Sequence, residues 1–253
     1  MSEEGRIPTN LRILYLLEII GKSERAMTAT EINHELGLPK QTVHRLCSTL
    51  EKEGFLVREL NGKRYLPTMR TKKMASGILY SSRGNYARRQ VLLDVAEKVN
   101  ETVNLVIPQE DGMMYLDRVE TDWMFRIQLP IGSHVPFHCT ASGKTFLASL
   151  SSGRRRSIVR NLKLDPKSPN TYTEPETLLS ELSQVSKQGF AIDNEEFMEG
   201  MLAIAVPILD DDDRYCASLA FHGPTQRLTI QSLMDQKKVL IDASKRLSGL
   251  IFQ

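Results

Sequence analysis

The stretch TATEINHELGLPKQTVHRLCSTLEKEGFLVRELNGKRYLP, residues 28–67, carries the signals of two short helices joined by a glycine turn and followed by a tight hairpin. Thr28-Ala29-Thr30-Glu31 is a capping box, in which the threonine hydroxyl and the glutamate carboxylate satisfy free N–H groups at a helix start. Ile32 and Leu36 then share one face. Gly37 ends this helix, because glycine tolerates the left-handed conformation used there. Pro39 suits the first turn of the next helix, where its missing N–H has no partner in any case. Along that second helix Val43, Leu46, Cys47 and Leu50 form a stripe at helical spacing, predicted to pack on the first helix and on Leu11, Leu14 and Leu17 upstream.

The opposite face carries Gln41, Arg45, Ser48 and Lys52, flanked by Lys40, Thr42 and His44. A recognition helix contacts base edges chiefly through its N-terminal residues, and Arg and Gln pair bidentately with guanine and adenine. Gln41 and Arg45 are therefore assigned to base reading and Lys40 and Thr42 to phosphates, with His44 and Ser48 on the same surface. A merely solvated polar face on a three-helix domain would look the same in isolation, so the next element decides. Residues 56–60 and 63–66 flank Asn61-Gly62, the dipeptide favoured in a type I′ hairpin turn. That register sets Glu59 opposite Arg64 and Val57 opposite Leu66, and it predicts that Lys63 and Arg64 project from the tip of a wing toward a DNA backbone. The stretch reads as a winged helix-turn-helix whose partner is double-stranded operator DNA.

Charge divides the chain in the same place. Residues 1–90 hold 16 Lys and Arg against 9 Asp and Glu, a net of +7, whereas the remainder holds 17 against 22, a net of −5. A basic module carrying a second domain with another task fits this asymmetry. No apolar run approaches the ~20 residues needed to span a bilayer, and the first residues lack the pattern of a secretory signal, so a cytoplasmic protein without a membrane partner is expected. Cys47, Cys139 and Cys216 are far apart and odd in number, which suggests neither a disulfide framework nor a CxxC metal site.

Residues 68–89 read as a basic linker helix followed by a break at Ser81-Ser82-Arg83-Gly84. From Tyr86 a second helix places Leu92, Val95, Ala96 and Val99 on one face. Strands are expected at 102–108, 112–119, 123–129, 202–209 and 215–221, and helices at 142–150, 153–162, 174–188 and 230–251. Asp210 to Asp213 form a turn. Strands joined by tight turns, with helices between them, imply an α+β domain built on an antiparallel sheet. The expected division is a DNA-binding domain at 1–67, a linker helix at 68–84 and an effector-binding and oligomerisation domain at 85–253.

Candidate chemistry is sparse. Gly143-Lys144-Thr145 looks like the end of a phosphate-binding loop, but the glycine required five residues earlier is His138. His138 and Cys139 are adjacent in an extended segment and point to opposite faces, which argues against a nucleophile and its base. Thr140 precedes a helix, so the N–H groups of Ala141, Ser142 and Gly143 either form a concavity for a carboxylate or phosphate or are simply capped by Thr140. The acids from Asp193 to Glu196 read by default as a solvated loop, and His222 as a strand terminus. No catalytic residue, metal or cofactor is indicated.

Over nearly its whole length the chain resembles the IclR family of bacterial transcriptional regulators. The matching stretches are residues 37–46, His138-Cys139-Thr140-Ala141-Ser142-Gly143-Lys144, residues 189–196 with Gly200, Ile204-Ala205-Val206-Pro207-Ile208, and Gly223-Pro224 with Arg227. The resemblance implies an N-terminal winged domain, a dimerising linker helix and a GAF-like effector domain, assembled as a homodimer or dimer of dimers. It also implies a small-molecule effector, often a carboxylate or aromatic acid, in a pocket lined by Thr140, Ala141, Ser142, Asp193, Ala203, Ala220 and His222. His222 and Ala220 stand where serines are frequent and Ala203 where a cysteine is frequent, so the effector of this chain is its own. The expected ligand is amphipathic, its anionic end at the helix N-terminus and a hydroxyl or amine donating to Asp193, with His222 either donor or acceptor. Trp123, Phe125, Leu129 and Met201 are candidates for the apolar wall. The competing functions are an enzyme with an attached DNA module, using Cys139 or the Asp193 region, and a DNA-architectural protein whose C-terminal domain only oligomerises.

Overall fold

A computed structural model describes residues 7–23, 25–59, 62–81, 85–127 and 129–252. The chain folds into two compact units, residues 1–82 and 83–253.

The first unit runs α1 (Arg12–Lys22), β1 (Met27–Thr28), α2 (Ala29–Leu36), α3 (Lys40–Lys52), β2 (Leu56–Arg58), β3 (Arg64–Pro67) and α4 (Met69–Ser81), with sheet order β1-β3-β2. The capping box forms: the Glu31 N–H donates to the Thr28 hydroxyl at 3.2 Å, and the Thr28 N–H donates to the Glu31 carboxylate at 2.7 Å. Gly37 turns the chain at φ +64°. Val43, Cys47 and Leu50 of α3 are buried with Ile32 of α2.

On α1 the packing face differs from expectation. Leu14 is 60% exposed, whereas Leu16 and Ile20 are buried and Leu17 is partly so. Apolar residues nearly surround α1, so periodicity alone did not select its inner face. In the hairpin Val57 pairs with Leu66 and Arg58 with Tyr65, and the Glu59 N–H donates to the Arg64 carbonyl at 3.1 Å. The expected Asn61-Gly62 turn includes Asn61, which lies outside the described residues.

The second unit runs α5 (Asn85–Val99), β4 (Thr102–Pro108), β5 (Met113–Val119), β6 (His134–Val135), α6 (Ala141–Ser149), α7 (Ser152–Asn161), α8 (Pro175–Gln188), β7 (Ala191–Asn194), β8 (Met201–Leu209), β9 (Tyr215–Pro224) and α9 (Ile230–Phe252). Its sheet is antiparallel throughout, in the order β6-β5-β4-β9-β8-β7. The period of two sorts side chains between faces. Val103, Leu105, Ile204, Val206, Leu219 and Phe221 share one core with residues of α5 and α9. The opposite face meets α6, and there alanines predominate: Ala141, Ala205 and Ala220 cluster with Ala203 against them. Small side chains let α6 approach the sheet closely.

Two expectations fail in this unit. The described residues of 123–129 form no strand; instead arginines take carbonyls there, Arg126 Nη1 donating to Trp123 O at 2.7 Å and Arg227 to Phe125 O at 3.2 Å. The acidic stretch is no solvated loop either. Residues 191–194 are the edge strand β7, and Asp193 and Glu196 are buried.

Candidate functional site

Register places the site. Asp193 pairs with Ala203, Ala203 with His222, and His222 with Thr102, so one row crosses β7, β8, β9 and β4. The adjacent row on the same face joins Ala205, Ala220, Asn104 and Arg118. The start of α6 lies over these rows, fixed there by Gly143: a Cβ on this residue would stand 2.3 Å from the Phe137 carbonyl oxygen. Only glycine fits that approach.

Between sheet and helix is a cavity of about 40 Å³. Thr140, Ala141 and Ser142 line it from the helix, Asp193 from β7, Ala203 from β8, and Ala220 and His222 from β9. All seven expected effector residues are thus brought together. Met201 lines it too, but Trp123 and Phe125 do not. Both are exposed, Trp123 stacked against the Arg227 guanidinium and its indole N–H bonded to Asn100 O. Leu129 packs in a separate cluster with Leu147 and Leu182, and Ile127 takes the wall position instead. The sequence reading missed Asn104, Tyr115 and Phe197. For Asn104 a signal existed, a lone amide amid the apolar residues of β4.

Thr140 acts as an N-cap, accepting from the Gly143 N–H at 3.1 Å and donating to Pro136 O at 2.7 Å. Ala141 and Ser142 lie in the first turn of α6, where backbone N–H groups lack intrahelical acceptors, and both residues line the cavity at the positive end of the helix dipole. His222 is buried, and its Nδ1 lies 3.0 Å from Asn104 Nδ2, while Asn104 Oδ1 lies 3.0 Å from Arg118 Nη1. Burial, aided by the nearby Arg118 cation, pushes the His222 imidazolium down to about 3. The ring is neutral at physiological pH.

Asp193 Oδ1 accepts the N–H groups of Glu196 at 2.8 Å and Phe197 at 3.2 Å. Burial first, and then the Glu196 carboxylate, push its carboxyl up to about 7, against the opposing pull of the Lys144 ammonium. Besides accepting these two N–H groups, the carboxyl carries a proton part of the time near neutrality and can then also donate to an anion. A carboxyl whose folded value lies above its unfolded one holds more protons in the folded state, so its contribution falls as pH rises from about 4 to about 7. His222, depressed, acts with the opposite sign between about pH 3 and pH 6.5. Comparison with a variant isolates Asp193: relative to Asp193→Asn, the wild type is expected to lose stability between pH 5 and pH 7.5, measured by urea midpoints. A difference independent of pH would show a carboxyl ionised throughout.

Behind the cavity Lys144 is wholly buried, its Nζ 2.5 Å from Glu196 and 3.1 Å from Glu181. The motif that resembled a phosphate loop thus spends its lysine on two internal carboxylates. Cys139 is buried and its thiol is pushed up to about 12, while His138 Nε2 is engaged with Asp165 O at 3.0 Å. No thiolate is available there. Among the described residues no cluster of three His, Cys, Asp or Glu is arranged to hold a metal, and no helix is long and apolar enough to cross a membrane.

In the first unit Lys40, Gln41, His44, Arg45 and Ser48 are exposed along α3, with no hydrogen-bond or ion-pair partner among the described residues, and Thr42 is half-buried beside them. Lys63 is exposed at the hairpin. Arg64 is not directed outward as expected: its Nη1 donates to Ala26 O at 2.9 Å and to the Glu31 carboxylate at 3.0 Å. Glu31, already the capping-box carboxylate and held at about 2 chiefly by the Thr28 N–H, offers the nearest countercharge and draws the guanidinium back onto the domain.

A winged helix with an open polar recognition face, joined in one chain to an α+β unit enclosing a cavity with a largely apolar wall and a few convergent polar groups, defines a DNA-binding regulator with a ligand-binding domain. Residues 11–60 match the IclR helix-turn-helix domain, and residues 85–249 match the bacterial transcriptional regulator IclR C-terminal domain. The chain belongs to the IclR family and is a transcriptional regulator of that type. It is 37% identical over 224 residues to the probable transcriptional regulator SauR of Cupriavidus necator, covering 88% of this chain and 89% of that one. It is 30% identical over 247 residues to the transcriptional repressor IclR of Escherichia coli strain K12, covering 96% and 90%. The crystal structure of Thermotoga maritima IclR superposes with a TM-score of 0.65 at 26% identity, covering 97% of this chain and 99% of that one.

Proposed function

We propose that this regulator reads operator DNA with Gln41 and Arg45, holds phosphates with Lys40, Thr42 and Lys63, and presents His44 and Ser48 on the same face. The second unit responds to a compact organic carboxylate bound between α6 and the sheet. In this reading residues 1–67 are the DNA-binding domain, residues 68–84 with α4 join copies into a homodimer or dimer of dimers, and residues 85–253 bind the effector. Effector binding shifts the relative placement of the winged domains; a coupling of ~1–3 kcal/mol suffices for regulation.

The observation that supports this best is convergence: residues from the α6 start and from all six strands of the sheet line one cavity, and the groups at the α6 start that are free to meet a ligand are donors. Backbone N–H groups of Ala141 and Ser142, and an Asp193 carboxyl that burial keeps protonated part of the time near neutrality, suit an anion. Size narrows the class. An apolar cavity of about 150 Å³ accommodates a benzene ring, so a space of about 40 Å³ favours a short carboxylate over an aromatic acid. The buried, protonated Cys139 removes the nucleophile that an enzymatic reading needs.

A thermal-shift series with acetate, acetamide and benzoate tests the effector reading. Acetate is expected to raise Tm, following the logarithmic dependence of stability on ligand concentration, to be recovered unchanged, and to alter the affinity of the protein for promoter-region duplex. Stabilisation by none of a panel of short carboxylates, or consumption of the compound that stabilises, would overturn it.

A further inference from the structure

A buried histidine that lines a cavity and uses only one ring nitrogen poses a specific question: which nitrogen carries the proton. His222 is 8% exposed, and its Nε2 has no hydrogen-bond partner among the described residues. Its sheet neighbour Thr102 leaves a buried hydroxyl unpartnered in the same row. A buried polar group without a partner costs free energy in the empty protein, and a ligand that supplies the partner recovers it.

The answer follows from a chain of three side chains. Arginine has donors and no acceptor, so the Asn104 atom facing Arg118 Nη1 at 3.0 Å is its oxygen. The Asn104 nitrogen is then the atom 3.0 Å from His222 Nδ1. An amide nitrogen only donates, so Nδ1 must accept, and the neutral ring must carry its proton on Nε2. Arg118 is itself held: it is buried, its Nε lies 3.1 Å from Glu120, and its Nη2 donates to Ile127 O. It has no freedom to turn and release Asn104.

We propose that Arg118, acting through Asn104, locks His222 as a hydrogen-bond donor and so makes His222 a specificity-determining residue that selects an oxyanion, rather than a donor group, at that point of the effector. The proposal rests on the effector reading of the cavity. Arg118 and Asn104 are positioning residues, while His222 makes the contact. A serine at this position could rotate to donate or accept; a histidine locked in one tautomer cannot.

The test reads the tautomer directly. In the uniformly 15N-labelled full chain at pH 7, long-range 1H–15N correlations are expected to show His222 with a protonated Nε2 and an unprotonated Nδ1, unchanged between pH 8 and pH 5. A His222→Gln spectrum supplies the assignment. In Asn104→Asp the carboxylate still accepts from Arg118 but now requires a donor from the ring, so the proton is expected to move to Nδ1. The preference of the protein for acetate over acetamide should then fall by about tenfold, the order of one hydrogen bond to a charged acceptor. An Nδ1–H ring or an imidazolium in the wild type at pH 7 overturns the proposal, as does a tautomer switch that leaves the acetate preference unchanged. If no short carboxylate binds the wild type, the effector reading fails and the selectivity role of His222 falls with it, even where the Nε2–H tautomer is found; the spectrum and the binding series therefore fail separately.

Discussion

Arg45→Ala is expected to remove most of the preference of this protein for its operator over competitor DNA. The side chain is exposed on α3, without an ion-pair partner among the described residues, whereas Arg58 is paired with Glu51 and Arg64 with Glu31. A bidentate arginine contact to guanine contributes ~1–3 kcal/mol of discrimination, which corresponds to a loss of roughly 5- to 150-fold in the specificity ratio for each half-site. Fluorescence anisotropy with promoter-region duplex and scrambled competitor measures it. Lys40→Ala should behave differently, lowering affinity for both duplexes alike and reducing the salt slope by about one. Equal losses on both duplexes for Arg45→Ala would place this arginine on the backbone and transfer base reading elsewhere.

Lys144→Met is expected to cost about 3–5 kcal/mol of stability in the second unit, because removing one partner of a buried ion pair leaves the other as an uncompensated charge. Glu196 is buried, and its carboxyl is pushed upward by burial and held down mainly by Lys144. The double variant Lys144→Met, Glu196→Gln should recover most of the loss, since the deeply buried charge is then gone and only the partly exposed Glu181 is left without its ammonium partner. Denaturant midpoints of the single and double variants measure this. The consequence reaches the cavity, because the backbone N–H of Glu196 donates to Asp193 and the Glu196 charge is one reason that carboxyl titrates near neutrality. A single variant as stable as the wild type would show that Glu196 takes up a proton at no cost and that the ion pair contributes nothing.

The first unit was largely legible because its signals are local. The Thr28–Glu31 box, the Gly37 turn and the Val43, Cys47, Leu50 stripe each lie within a few residues and form as expected. Leu14 and Arg64 were misread for the reciprocal reason. Which face of an apolar-rich α1 turns inward depends on the helices it meets, and Arg64 follows a carboxylate far away in sequence. In the second unit, apolar runs mark β4, β5, β8 and β9, while residues 123–129 have a composition that suits a strand without forming one among the described residues. There, arginine donors from Arg126 and Arg227 take carbonyls that a ladder would have used.

The candidate pocket shows the same division. Thr140, Asp193, Ala203 and His222 were named through family resemblance, and the cap at Thr140 was visible in its own sequence. That Asp193 is buried beside Glu196, that Lys144 neutralises two carboxylates, and that Arg118 and Asn104 stand behind His222 depend on tertiary contacts, although the lone amide within β4 marks Asn104 itself.

By itself the sequence determined the helix boundaries, the turn at Gly37, the basic N-terminal and acidic C-terminal halves and the α+β class, since caps, periodicity and net charge are properties of neighbouring residues. Only the tertiary structure decided which polar groups lose their water, which carboxyl keeps a proton and which nitrogen of His222 accepts. Burial and countercharge arise where strands distant in the chain pair in register, and those are the quantities that set protonation and hydrogen-bond direction.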